Sequence, residues 1–240
     1  MTTPNIRPTP EELHPSLWRA SQLARFSGNS IDTGHSTLSN QLPDNGWPTG
    51  SLIELLVQQP GVGEFKLLAP ALRQVSSKTI VLLQPPQVPN ALAFAGQGVP
   101  PQNFVWLKST TTGDALWAAE TVLRSGTCGA LIFWNTHVRQ ESLRRLNLAA
   151  QAGQTLFFVL RPLAAAQDPS PSPLRLSLRP AEGGVNIGFI KRRGPQRDEP
   201  LFLPLKGFIQ DGRRRGQTTL PSSSEPAVSG RGLNVGALQS

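Results

Sequence analysis

Residues 51–68 read SLIELLVQQPGVGEFKLL: an apolar run, a loop holding Gly61 and Gly63, and the start of a helical period. A buried strand feeding a helix through a glycine turn is the opening unit of a parallel α/β sheet. The same setting hosts the phosphate-binding pattern G-x-x-x-x-G-K-[ST]. In it glycines turn backbone N–H groups toward phosphate, lysine meets the β/γ oxygens and a hydroxyl holds magnesium. With Gly63 as the anchor, Gln58 stands at the first glycine, Glu64 at the lysine and Phe65 at the hydroxyl. A carboxylate about 4 Å from a phosphate charge, at an effective dielectric of about 20, repels by roughly 4 kcal/mol where lysine attracts by a similar amount. Lys66 lies about 200° further round a helix and faces elsewhere. The loop is therefore expected to hold no cofactor and to hydrolyse no nucleotide, and Gly61 and Gly63 are read as a tight strand-to-helix turn.

Outward from this unit, short apolar runs alternate with helical periods, the signature of successive βαβ units. Strands are expected over 52–57, 79–84, 104–108, 130–134 and 155–160, and helices over 64–75, 89–95, 114–125 and 138–152. The last two helices are closed by Gly126 and Gly153. After Pro162 the texture AAAQDPSPSP reads as a flexible connection, and the period-two runs 174–179 and 185–191 read as antiparallel strands added at the sheet edge. Three segments result: 1–50, an N-terminal helix and lead-in; 51–205, the core; and 206–240, a basic tail with little to bury, expected to be disordered when free.

The chain of 240 residues carries a formal charge of +8. Residues 171–240 hold 11 Lys+Arg against 5 Asp+Glu, so the basicity is C-terminal. It gathers at Lys191, Arg192 and Arg193, with Arg197, and again at Arg213, Arg214 and Arg215. Each cluster is open to three readings: phosphate contact, an acidic protein surface, or solvation of the chain. Arg139, Arg144 and Arg145 are read as the solvated face of a helix. One cysteine, Cys128, excludes an internal disulfide and reads as a small buried hydrophobe. The three histidines lie far apart, so a metal site has no support. No secretory pattern or membrane-length apolar run is present, and a soluble cytoplasmic protein is expected. Among the tryptophans, 106, 117 and 134 are read as core, and Trp18 and Trp47 as surface contacts.

A second apolar strand, Leu131-Ile132-Phe133, runs into Trp134-Asn135-Thr136-His137 with no carboxylate where a magnesium-associated acid would stand. Glu54, a formal contender for a water-activating glutamate, is read equally as a partly exposed edge residue. Leu42-Pro43, Gly46-Trp47-Pro48 and Gly50-Ser51-Leu52-Ile53-Glu54, leading into the loop strand, resemble the RecA family. With the altered loop included, and with 14–20 (HPSLWRA), Arg144-Arg145-Leu146 and Lys191-Arg192-Arg193-Gly194, the chain resembles the ImuA-type translesion-synthesis accessory proteins, RecA-like without catalytic apparatus. The resemblance implies a RecA-like, mostly parallel sheet flanked by helices. It also implies a non-enzymatic adaptor in the damage-inducible SOS response, assembled with an ImuB-like protein, an error-prone polymerase and RecA itself. Two alternatives stand beside it. One is a SulA-type cell-division inhibitor, a shorter relative in the same group that would bind the tubulin-like division protein. The other is a DNA-binding module using the basic C-terminal part.

Overall fold

The structure, a computed structural model, describes residues 29–194 and 197–205. A short ribbon of β1 (Ser30–Ile31) and β2 (Trp47–Pro48) brackets the one-turn helix α1 (Ser36–Ser39). The chain then runs through β3 (Ser51–Val57), α2 (Glu64–Gln74), β4 (Thr79–Leu83), α3 (Ala91–Gly96), β5 (Phe104–Leu107), α4 (Thr112–Ser125), β6 (Cys128–Trp134) and α5 (Gln140–Gln151). It continues into β7 (Leu156–Pro162), β8 (Leu174–Ala181), β9 (Gly184–Lys191) and β10 (Leu201–Pro204). Eight of these strands form one sheet in the order β10-β9-β8-β3-β7-β6-β4-β5. Its stretch from β8 to β5 is parallel, and β9 and β10 extend it antiparallel. The molecule is thus a mixed α/β fold on a large, mostly parallel sheet.

The sheet divides the core in two because successive strand residues face opposite sides. Ile53, Leu55 and Val57 of β3, Ala130 and Ile132 of β6, and Leu156, Phe158 and Leu160 of β7 pack on one face with Leu67, Leu68 and Leu72 of α2. Leu131, Phe133, Phe157 and Val159 pack on the other with Leu123 of α4 and Leu143 and Leu146 of α5. Burial on both faces explains why the central strands read as apolar runs without alternation. Local chemistry sets the helix starts. Asn90 Oδ1 accepts from Leu92 N–H at 2.9 Å, so α3 begins at Ala91 rather than 89, and Thr111 Oγ1 accepts from Asp114 N–H at 3.1 Å at the head of α4.

Four expectations are corrected. Trp47 is not a surface contact but fully buried, edge-on to Phe158 at 5.3 Å between centroids. Trp106 and Trp117 are the exposed ones, at 44% and 69%. They stand on the edge strand β5 and the outer side of α4, where nothing among the described residues covers them. β8 is not an antiparallel addition: it pairs parallel to β3, and only β9 and β10 reverse direction.

The segment after Pro162 is packed rather than a loose connection, and Glu54 is the reason. Glu54 lies on the central strand β3, fully buried, with Arg175 Nε at 2.5 Å from Oε2 and Arg161 Nη1 at 3.4 Å from Oε1. Arg161 Nη2 reaches Asp168 at 2.8 Å, and Arg175 Nη2 donates to Ala165 O at 2.8 Å. Ser170 Oγ donates to Glu54 Oε1 at 2.9 Å, and Ser172 Oγ lies 2.8 Å from Leu52 O. Each polar group of the buried carboxylate is thereby matched, the condition under which a charge survives burial. Residues 163–173 form a roof over β3 and β8, where 163–167 pack on both strands and Ser170 and Ser172 hydrogen-bond to Glu54 and Leu52. The segments 1–28 and 206–240, including the expected N-terminal helix, Trp18 and Arg213–Arg215, lie outside the described residues. Among the described residues no helix is long and apolar enough to cross a membrane.

Candidate functional site

The loop between β3 and α2 closes on itself. Gly61 and Gly63 hold φ of +85° and +99°, backbone that a side chain rarely tolerates, and Gly63 caps α2 by accepting Leu67 N–H at 2.9 Å. Glu64, the first helical residue, is 7% exposed, and its Oε1 accepts from Gly61 N–H at 2.8 Å. A helix N-terminus with inward-turned N–H groups is a ready anion site, and here the chain's own carboxylate fills it. Phe65, at the hydroxyl position, packs on Phe94 at 4.5 Å, and Gln58 N–H ties the loop to Leu178 O of β8 at 3.2 Å. Replacing Glu64 by lysine should therefore yield no measurable ATP turnover. The change leaves Gln58 and Phe65 in place, removes the acceptor for Gly61 N–H, and puts an ammonium group in a nearly closed space. A phosphate-release assay checks this, and turnover in that single variant would contradict it.

Beside the loop, at the C-terminal ends of the parallel strands, lies a cavity of about 490 Å³ bordered by Val57, Gln58, Gln84, Trp134, Asn135 and Arg161. This is where open α/β sheets place ligands. The position scanned for a magnesium-associated acid holds Asn135, whose Oδ1 accepts from His137 N–H at 3.0 Å in a local turn. A second cavity of about 300 Å³ is bordered by Glu64 and walled by Pro60, Phe65, Phe94 and Trp134.

Among the described residues, the basic side chains at 191–197 make contacts within the chain. Lys191 Nζ donates to Ser170 O at 3.1 Å, and partial desolvation, then the Arg175 guanidinium, holds its ammonium below the usual lysine range. Arg192 Nη1 donates to Gln41 O at 2.5 Å, and its guanidinium lies 5.0 Å from the Phe189 ring centroid. Arg193 follows β9 and also has interactions within the chain. Arg197 Nε donates to Glu199 O at 2.8 Å. On α5, Arg145 pairs with Glu120 of α4, so that helix face is bridged to its neighbour as well as solvated.

What the sequence reading missed is apolar and exposed. Val88 is 73% and Leu92 81% exposed, on the loop entering α3 and on α3 itself; Val105 and Trp106 on β5 are 42% and 44%. Phe94 of α3 stacks on Phe104 at the head of β5 with centroids 4.2 Å apart, so these exposed residues flank one sheet edge. The available signal was Val88 itself, an aliphatic side chain in PPQVPN, a segment with no helical or strand period to bury it.

No family model matches the chain. It is 32% identical over 109 residues to a protein of Edwardsiella piscicida named cell division inhibitor SulA, a match covering 43% of this chain and 65% of that one. Proteins of the same name from Pectobacterium atrosepticum and Serratia proteamaculans are 29% identical over 148 residues and 26% over 139. Those matches cover 59% and 57% of this chain, and 87% and 81% of the relatives. Among solved structures, SulA from Pseudomonas aeruginosa aligns with a TM-score of 0.38 at 22% identity, covering 46% of this chain and 96% of that one. The chain is thus related in sequence to SulA-named proteins. This corrects the expectation of a translesion-synthesis accessory protein. That expectation rested on short matched motifs scattered along the chain, whereas relatedness is carried by residue-by-residue agreement over segments of 109–148 residues.

Proposed function

We propose that this chain is a non-catalytic inhibitor of cell division of the SulA type, acting by binding the tubulin-like division protein under DNA damage. The observation that carries the reading is the 148-residue match to the Pectobacterium atrosepticum protein named cell division inhibitor SulA, which spans 87% of that relative. A loop whose anion site is filled by Glu64 supports a binding protein rather than a nucleotide-driven one, and so does a sheet edge flanked by unburied Val88, Leu92, Val105 and Trp106. Exposed apolar side chains at an edge strand fit protein contact, because each gains free energy only when a partner covers it. The RecA-like ancestry of the sheet belongs to the same proposal: a strand, glycine loop and helix retained for shape after their phosphate chemistry was inverted.

The test is expression of the full chain from an inducible promoter in growing bacteria, with cell length followed by phase-contrast microscopy. Undivided filaments holding several separated chromosomes are expected within a few generations. Cells of normal length at the same protein level would overturn the proposal.

A further inference from the structure

Glu64 satisfies only half of its carboxylate. Oε1 accepts from Gly61 N–H, while Oε2 is buried with no hydrogen-bond partner among the described residues. An unmatched buried carboxylate oxygen is costly, and such a group calls for a donor from outside. The residue borders the 300 Å³ cavity, whose other walls include Phe65, Phe94 and Trp134. A hard metal ion needs several oxygen ligands, and no group of three or more His, Cys, Asp or Glu side chains that could hold one exists among the described residues. One carboxylate oxygen among aromatic walls instead suits an organic cation. Guanidinium is the better match than ammonium: it is planar, weakly hydrated, and stacks on aromatic faces while donating to a carboxylate.

We propose that the inverted phosphate loop is an arginine socket, in which Glu64 and the walls of Phe65, Phe94 and Trp134 receive an arginine side chain presented by a partner protein. Charge complementarity selects this occupant: the position that would repel a phosphate attracts a guanidinium. The proposal stands whichever protein supplies the arginine, so it does not depend on the division inhibitor reading.

The full chain is titrated with N-acetyl-arginine-N-methylamide, and with the isosteric neutral citrulline derivative as control, followed by the indole N–H signals and by calorimetry. The arginine probe should bind in the millimolar range and the citrulline probe at least about tenfold more weakly, the loss of one charge-assisted contact. Glu64→Gln keeps an acceptor for Gly61 N–H and should remove that difference at an unchanged thermal midpoint. If Glu64→Gln does not fold, Lys66→Gln gives the reverse test. It removes a cation from the cavity wall and should tighten arginine binding by about twofold or more. Equal binding of the two probes, no binding of either, or full arginine binding by folded Glu64→Gln would overturn the socket. A tenfold gain on changing Arg213, Arg214 and Arg215 together to glutamine would show that the chain's own tail fills it, overturning the external partner.

Discussion

Replacing Glu54 by alanine should lower the unfolding midpoint by roughly 6–20 °C, the equivalent of about 3–5 kcal/mol for a domain of this size. Glu54 is the anion on which two buried guanidiniums converge, and Arg161 and Arg175 are themselves only 2% and 5% exposed. Removing the carboxylate leaves both cations buried, with Asp168, whose side chain is 54% exposed, as the remaining anion of the cluster. It also leaves Ser170 Oγ without its acceptor and loosens the roof over 163–173. Glu54→Gln retains an acceptor but not the charge and should fall between alanine and the native chain. Replacing Glu54, Arg161 and Arg175 together by leucine and methionines should cost much less than Glu54→Ala alone, because the penalty lies in unpaired charge rather than in lost attraction. Thermal denaturation followed by circular dichroism measures all three, and a Glu54→Ala midpoint within 2 °C of the native value would show that the cluster is not the clamp described.

The double change Val88→Asp with Leu92→Asp should weaken inhibition of division by about thirtyfold or more, equivalent to about 2 kcal/mol, while leaving the thermal midpoint in place. Both side chains are mostly in solvent, so folding loses almost nothing when they become charged, whereas a partner covering them would have to bury two carboxylates. Trp117→Ala serves as the control. It is equally exposed but sits on α4, on the opposite face of the sheet, and should leave inhibition unchanged. Dose–response of cell length against expression level separates the two. Full potency in the double variant would move the contact surface elsewhere on the molecule.

The central architecture was readable because its signals are local. The apolar run of 51–57, two glycines and a helical period announce a strand, loop and helix within 18 residues, and the structure places them as Ser51–Val57 and Glu64–Gln74. At the head of that helix the structure has Glu64 accept from Gly61 N–H, a contact within the same short segment. Features resting on distant partners were not readable. Trp47 sits between Gly46 and Pro48, the company of a surface turn, yet it is buried in the core with Phe158 edge-on to it. Pro, Ser and Ala after Pro162 have the composition of a linker, yet the segment is held by Glu54, more than 100 positions earlier. A lone acid in an apolar strand carries no periodic mark of the two arginines that neutralise it. The exposed Trp106 and Trp117 fail the other way: aromatic residues in regular elements read as core, and for Trp106 only the sheet order shows that β5 has no neighbour on one side among the described residues. The functional reading went astray for a related reason, since short motifs carry no mark of the partner a protein meets.

The most direct test of the account is assembly of the purified tubulin-like division protein, followed by sedimentation, with increasing amounts of the full chain. Loss of polymer at near-equimolar chain, relieved by Val88→Asp with Leu92→Asp, is the predicted result. Undiminished polymer at a large excess of folded chain would contradict it.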